Sequence, residues 1–327
     1  VCENPDVDRG AAVATLPIIE LATTLDEAFA GLPDCVDVPT ASAVLDRLAL
    51  NLSAAREVLG ATAWRAAVTL ARGHALRDVL FEDPLTRRSY QQPRGYQGDA
   101  ELIDLIYQGE PELFGMKPTT TRGAAIYSWS HQGRAPSAVR QRRKFLGCYL
   151  DREASRFRHP RALSVACGHL REVECSEAFC AGHFGEIVGI DQDPLTIATA
   201  TARHSRTCAK FRRAGVQSLL TGRESQGRYD VIWSAGLFDY LDDDLASLLT
   251  THLFSMLTRS GALVIANFLP DIPDVGYMEL FMDWWLNYRS QEELQRLALG
   301  IDHDKVASVD FVDDGRSHVG YLIVRRT

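Results

Sequence analysis

The stretch "LSVACGHLREVE", Leu163 to Glu174, decides how the rest of the chain is read. Its small and apolar start has the texture of a buried strand, and it ends at Cys167-Gly168. Gly168 has no Cβ and tolerates unusual φ, which suits a tight strand-to-helix turn that a ligand approaches closely. A dinucleotide-type turn would read G-x-G-x-x-G. Here the pattern is A-C-G-H-L-R, with a single glycine, so the case for a pyrophosphate is poor. A helix is expected to begin near His169 and to offer its N-terminal amides to a carboxylate or phosphate.

Outward from this turn, strands and helices alternate. "RALSVAC" reads as a strand, "REVECSEAFCAGH" as a helix, "GEIVGID" as a strand and "DPLTIATATARHS" as a helix. "KFRRAGV" reads as a short strand, "YDVIWSA" as a strand, "DDDLASLLTTHLFSML" as a helix and "GALVIANF" as a strand. "KVASVDFV" and "HVGYLIVRR" close the chain as an antiparallel hairpin. The pattern predicts an α/β, Rossmann-like, mostly parallel sheet of seven strands with helices on both faces. In such sheets the ligand lies beyond the C-terminal strand ends, where strand order reverses. The second strand ends in "GIDQDP". Asp191 lies 23 residues beyond Gly168, near the roughly 20 of a dinucleotide-type unit, where an acid accepts hydrogen bonds from both ribose hydroxyls. The plain alternative is that Asp191 only caps the next helix, a role Asp193-Pro194 suits better.

The first 85 residues read as helical. "TLPIIELATTLDEAFAGL" and "TASAVLDRLALNLSAAREVLG" repeat apolar residues at helical spacing, with Thr40 as N-cap and Gly60 as C-cap. Residues 83–136 are loop-like and rich in Pro, Gly, Tyr, Arg and Trp. A helix from Ser137 to Phe157 holds the basic cluster "RQRRKF". The expected organisation is an N-terminal helical lid domain over 1–135 and a ligand-binding domain over 136–327, with a substrate-binding insertion at about 268–300.

Composition narrows the function classes. The 327 residues are 46% hydrophobic and 24% charged, the ordinary globular range. A net charge of −8 weighs against nucleic acid as a partner. No apolar run approaches the roughly 20 residues of a membrane span, and no signal peptide is visible, although the first residue is Val. Seven scattered cysteines without a C-x-x-C pair fit free thiols in a reducing, cytoplasmic protein. Cys167, Cys175, Cys180, His169 and His183 match no zinc spacing, so no metal is expected.

A cofactor without phosphates needs less glycine, and S-adenosylmethionine is such a cofactor. "VACGHLRE", "GID", "YDVIWSAGLFDYL" and "LTRSGALVIANF" together resemble the class I S-adenosylmethionine-dependent methyltransferases over residues 161–327. The resemblance implies a seven-stranded methyltransferase sheet and S-adenosyl-L-methionine, with S-adenosyl-L-homocysteine as product. It assigns the amino-acid tail to the loop of Ala166, Cys167 and Gly168. Which of His169, Arg171 and Glu172 reaches the cofactor or acceptor stays open, Glu172 being the first to mutate because a carboxylate there suits the cofactor's ammonium. It assigns the ribose to Asp191 with Gln192, and the adenine to the "GVQSLL" segment through Val216, Gln217 and Ser218. Ser234, Ala235, Gly236 and Tyr240 would stand beside the cofactor. Over residues 85–327, "RGYQGDAELIDLIY", "SHQGRAPSAVRQRRKF", "SAGLFDYLDD" and "MDWWLNYR" are similar to a bacterial family for biosynthesis of the extracellular factor 3-hydroxypalmitic acid methyl ester.

Substrate candidates fall in three places. Tyr96 and Arg94 in "RGYQGD" line a pocket, or belong to a plain turn with Asp99 as N-cap. Tyr127, Trp129 and His131 form an alternating aromatic set. Behind them Arg140, Arg142 and Arg143 offer guanidinium to a carboxylate, or form a solvated helix face with one member turned inward. Tyr277, Glu279, Trp284, Tyr288 and Arg289 carry recognition chemistry at helical spacing, with Phe281, Trp285 and Leu286 assigned to core. Asn267 and the pair Asp239-Tyr240 stand at strand ends. The site expected to act on the acceptor is thus Tyr96, Tyr127, Arg140, Asn267, Tyr288 and Arg289. The leading acceptor is a carboxylate oxygen, giving a methyl ester. The alternatives are N- or O-methylation of a natural-product precursor and a non-catalytic cofactor-binding partner. The expected partner is a small-molecule substrate; the oligomeric state stays open, a homodimer being one option.

Overall fold

The computed structural model describes residues 20–221, 227–313, 315 and 318–327. Cys2 and residues 15–19 of the first predicted helix lie outside the described residues. The chain divides into two compact units, one of residues 1–137 with 272–285 and one of 138–271 with 286–327. The expected insertion is therefore split: 272–285 goes with the first unit and 286–300 with the second.

The first unit is helical. After α1 (20–30) come α2 (Val38–Gly73), α3 (Leu76–Leu80), α4 (Pro84–Gln91), α5 (Ala100–Gln108) and α6 (Thr121–Gln132). The N-cap of α2 is Asp37, whose carboxylate accepts the Thr40 amide at 2.8 Å, so Thr40 is capped and is not the cap. A proline in the first turn of α2 explains the earlier start. Gly60, at φ 65° and ψ 174°, interrupts α2 where a stop was expected.

The second unit starts within α7 (Arg134–Ala154). Its strands are β1 (Arg161–Val165), β2 (Glu186–Asp191), β3 (Ala209–Arg213), β4 (Tyr229–Ser234), β5 (Leu257–Phe268), β6 (Val306–Val312) and β7 (Val319–Arg326). They form one sheet in the order β3-β2-β1-β4-β5-β7-β6. β1 to β5 pair in parallel, while β7 runs antiparallel to both β5 and β6. β1, β2, β4 and β7 are buried almost end to end, as the near-continuous apolar runs of a covered sheet require. Strand order reverses between β1 and β4, which puts the crevice at their C-terminal ends.

The segment after β1 departs from expectation. Instead of a helix from His169 there is a single 3₁₀ turn, Arg171–Cys175, and one α-helical turn, α8 (Glu177–Cys180). Leu170 is left-handed at φ 54° and Ser176 is extended, so the helical periodicity of "REVECSEAFCAGH" is broken at both points. The remaining helices are α9 (Pro194–Arg203), α10 (Val216–Leu220), α11 (Asp243–Ser255), α12 (Val275–Phe281, in the first unit) and α13 (Gln291–Arg296). The helical spacing of 276–294 is thus realised only at its two ends, with Asp283 left-handed at φ 48° between them.

Candidate functional site

The turn after β1 holds three left-handed residues in five: Ala166 at φ 53°, Gly168 at 52° and Leu170 at 54°. Only one is glycine. Each of the other two costs on the order of 1 kcal/mol. Strain of this kind persists where the surroundings over-determine it, and it gathers at binding sites. Here the surroundings are visible. The Cys167 amide donates to the Ile190 carbonyl at 2.9 Å, and the Leu170 amide to Cys167 at 2.8 Å. Gly189 on β2 lets Cys167 in, because a Cβ there would stand 2.9 Å from its sulfur and 2.8 Å from the Phe211 ring. Burial pushes the Cys167 thiol well above its ordinary range, so it sits as a protonated packing group.

Asp191 ends β2 and locks this turn. Its Oδ2 accepts the Gly168 amide at 3.0 Å and its Oδ1 the Asp193 amide at 3.0 Å. The helix cap is Asp193, which accepts the Leu195 amide at 2.9 Å. Two main-chain bonds leave further lone pairs on a carboxylate that can accept more. Burial raises the Asp191 pKa, and the Asp193 and Gly168 amides pull it back.

Glu172 sits in the 3₁₀ turn and is buried. Its Oε1 accepts the Trp233 indole N–H at 2.7 Å and faces the Ser164 hydroxyl at 3.5 Å. Burial raises its pKa, the Trp233 bond pulls it back, and among the described residues no cation reaches hydrogen-bonding distance; Arg142 and Arg143 act through space. Ser234, at the end of β4, is buried and donates to the Val165 carbonyl at 3.1 Å. Ala235 and Gly236 follow it half-buried, and Tyr240 is exposed. Gln192 and Gln217 are exposed and Ser218 half-buried, on the loop after β2 and on α10.

Beyond β4 and β5 the chain builds a second cluster. Asp239 is buried, accepts the Phe268 amide at 2.7 Å, and is pushed by burial up to about 6, with Arg142 countering. Arg289 donates to the Phe238 carbonyl at 2.7 Å, the Leu241 carbonyl at 2.6 Å, Asn267 Oδ1 at 2.8 Å and Asp243 at 3.0 Å. Asn267 donates to the Phe268 and Asn287 carbonyls, both at 2.9 Å. The structure therefore brings Asn267 and Arg289 together as a brace joining the ends of β4 and β5. Tyr288 stands half-buried beside them in sequence.

Tyr96 and Tyr127 belong to the first unit. Around Tyr96, Asp99 caps α5 through the Glu101 and Leu102 amides and pairs with Arg88 at 2.7 Å, while Arg94 pairs with Glu101 at 2.7 Å. The aromatic set is separated by its own geometry. Its two-residue spacing is a strand period, but it lies on α6, where residues two apart face differently. Tyr127 and His131 meet at 5.6 Å, whereas Trp129 packs on Tyr277 at 5.0 Å and bonds Asp46. Glu279 and Tyr277 are buried structural groups: Glu279 takes the Trp64 indole at 2.6 Å and Arg56 at 2.8 Å. Trp284 is buried too, and Trp285 and Leu286 are the half-exposed ones, the reverse of the sequence reading for that pair.

Arg140 is half-buried on α7, but the arginine turned inward is Arg142. The signal was helical spacing: Ala135, Ala138, Val139, Leu146, Tyr149 and Leu150 are all buried, and Arg142 falls within their stripe. Among the described residues, no group of three or more potential metal ligands converges, and no helix is long and apolar enough to cross a membrane.

No family model matches the chain, and no curated protein matches its sequence. Solved structures do match its fold. A protein from Bordetella parapertussis described as a possible exported protein is 18% identical, with a TM-score of 0.56 over 99% of each chain. The CurJ carbon methyltransferase is 13% identical, with a TM-score of 0.52 over 97% of this chain and 93% of that one. The protein thus has an α/β, Rossmann-like methyltransferase fold with an N-terminal helical region.

Proposed function

We propose that this chain is an S-adenosylmethionine-dependent methyltransferase for a small molecule. In this reading it methylates a carboxylate oxygen to a methyl ester, as the 3-hydroxypalmitic acid methyl ester family that its sequence resembles would do. One observation carries it: the strained turn after β1 is locked onto the acid that ends β2. Small residues at 166–168 let a ligand approach the main chain, and Asp191 has lone pairs to accept ribose hydroxyls. Glu172 offers a buried carboxylate to an ammonium, and Ser234 to Gly236 floor the crevice at β4. A single 3₁₀ turn in place of a helix N-terminus gives a phosphate little to bind, which favours a phosphate-free cofactor. CurJ, named as a carbon methyltransferase, supports methyl transfer in general.

When bound, the cofactor supplies an electrophilic methyl group on a sulfonium; the acceptor–carbon bond forms as the carbon–sulfur bond breaks, leaving neutral S-adenosylhomocysteine. A carboxylate acceptor is already ionised at neutral pH, so the chain need only align and desolvate it. Within the second unit, Arg140 and Tyr288 are the acceptor-side groups to test; Tyr96 and Tyr127, expected from the sequence to act on the acceptor, belong to the first unit. The same reading places the protein in the cytoplasm, where Cys167 stays a thiol. Calorimetry with S-adenosylhomocysteine tests the cofactor, and absence of binding sinks the reading. A labelled-methyl screen over carboxylic acids, amines and phenols, with fragmentation of the product, tests the acceptor.

One observation favours a second reading, N- or O-methylation of a natural-product precursor. Asp239, near pH 6, has the titration range of a general base. A rate that rises through that pH and then levels would select this reading. A flat profile would select the carboxylate.

A further inference from the structure

At the N-terminal ends of β1 and β4, the edge of the sheet opposite the crevice, lies a cavity of about 450 Å³. Among the described residues its walls are Arg161, Gly227, Arg228, His252, Ser255 and Met256, all in the second unit. The volume falls within the roughly 300–1,000 Å³ of small-molecule sites. Two cations here are held by neutral groups. Arg228 donates from Nη1 to the Ser255 carbonyl and to the Leu257 carbonyl at 3.5 Å. Arg326 donates from its own Nη1 to the same two carbonyls, at 3.2 and 3.1 Å. Both therefore tie the end of α11 to the start of β5, where the partial negative charge of a helix C-terminus favours a cation. That structural role uses one nitrogen of each guanidinium. The rest of the fork, which carries five N–H donors in all, is left for another acceptor.

The acids nearby are already engaged. Glu186 lies between Lys210 at 2.7 Å and Arg161 at 2.8 Å. Asp230 accepts the Arg161 amide at 2.9 Å and the Thr258 hydroxyl at 2.6 Å. Of the three guanidiniums only Arg161 has an acid, and among the described residues Arg228 and Arg326 form no ion pair. His252, in the last turn of α11, adds an independent sign of a missing ligand. Its Nε2 is buried with no hydrogen-bond partner among the described residues. A buried polar atom left so is costly, and a neutral imidazole protonated at that nitrogen is a donor. Burial lowers the His252 pKa and so keeps the ring neutral. Two unpaired guanidinium forks and an imidazole donor around one cavity match an oxyanion with several acceptor oxygens. We infer that this cavity binds a phosphate group, held by Arg228 and Arg326 with His252 as a further donor. The phosphate comes either as the free ion or as the end of a monoester whose organic part fills the rest of the cavity beside Met256. β1 and β4 begin at this cavity and end at the crevice, so the two sites share strands but no residues.

The test is calorimetry of the full chain at fixed ionic strength with inorganic phosphate, glucose 6-phosphate, glucose and acetate. The two phosphates should bind, and glucose and acetate should not. Tighter binding of glucose 6-phosphate than of inorganic phosphate places the source in a monoester; equal binding places it in the free ion. Arg228→Met should weaken the phosphate by about 10-fold or more, because it removes a charge-assisted donor. Arg228→Lys should recover part of the loss, since it keeps the charge without the fork. His252→Phe should weaken binding by about 5-fold. Arg228 is exposed and His252 half-buried, so neither change disrupts the core, and circular dichroism of each variant checks that it folds. Arg259→Met, an exposed change on β5 at the same edge, should leave the affinity alone. An equal loss there would mean attraction by the general field of this edge and would overturn the site. So would absence of binding by both phosphates, acetate binding as tightly as phosphate, or an unchanged affinity in both Arg228→Met and His252→Phe. Saturating S-adenosylhomocysteine should not displace the phosphate; displacement would put the ion in the crevice and overturn the assignment as well.

Discussion

Strand β2 begins with one acid and ends with another, and the two are shifted in opposite directions. Glu186 opens the strand between Lys210 at 2.7 Å and Arg161 at 2.8 Å, and those bonds hold its carboxyl below the usual range. Asp191 closes the strand with main-chain amides as its hydrogen-bond partners, and burial raises it. The contrast extends across the sheet. At the N-terminal edge of the parallel strands, Glu153 is fully buried against Arg325, with bonds of 2.7 and 2.9 Å. At the C-terminal edge Glu172, Asp191 and Asp239 are all raised by burial, and among the described residues none has a cation at hydrogen-bonding distance. One edge spends its acids on holding the sheet. The other keeps negative charge under-compensated, which is how perturbed carboxylates mark a binding site.

The sharpest way to break this comparison is to remove an acid from each edge. Glu153→Ala should cost about 3 kcal/mol of stability, because it strands the Arg325 charge. Chemical denaturation measures this, and the fraction that folds should keep its affinity for S-adenosylhomocysteine. Asp191→Ala should do the reverse in emphasis. It removes the Gly168 clamp and the ribose acceptor together, so affinity should fall about 100-fold, near 2.7 kcal/mol. Asp191→Asn, which can still accept the Gly168 amide, should lose less. Unchanged calorimetry in Asp191→Ala would remove Asp191 from the ribose role.

Much of this edge was legible in the sequence, and the reason is mechanical. Buried parallel strands leave near-continuous apolar runs, so "LSVAC", "EIVGI", "DVIWS" and "ALVIANF" mark themselves and fix where their C-terminal ends fall. Asp191 could be singled out because it closes the second of those runs, 23 residues beyond Gly168; Glu172 was one of three candidates after the first, favoured for its carboxylate. What failed were readings that relied on periodicity across a backbone break. The segment after β1 has helical spacing, yet Leu170 takes a left-handed conformation that no side-chain pattern announces. Asp283 does the same within 276–294. Arg142 was hidden for another reason. "RQRRK" looks like a solvated face until the helix phase is carried back from Ala138 and Val139, which shows one arginine inside the apolar stripe. Tyr127, Trp129 and His131 looked like a set only on a strand period.

The smaller predictions concern pH, and their signs oppose each other. Asp239 is raised from 3.8 to about 6 by burial, with Arg142 and Arg289 facing it and offsetting only part of that. Between those values the folded state binds the proton more tightly than the unfolded one, so the contribution of Asp239 to stability falls as pH rises through the window. Asp239→Asn should therefore raise the melting temperature at pH 7.5, by on the order of 1 kcal/mol or 2–4 °C, and the gain should vanish near pH 4. Glu186 runs the other way. Its folded pKa lies below the ordinary 4.5, so its contribution is present above that value and is lost as pH falls through the folded pKa. Lys210 is 70% exposed, which holds the effect to about 0.5 kcal/mol. Glu186→Gln should thus lower the melting temperature slightly at pH 7, and the difference should shrink as pH falls below 4.5 and toward the folded pKa. If both variants moved with pH in the same direction, the two edges of the sheet would not differ in the way their acids imply.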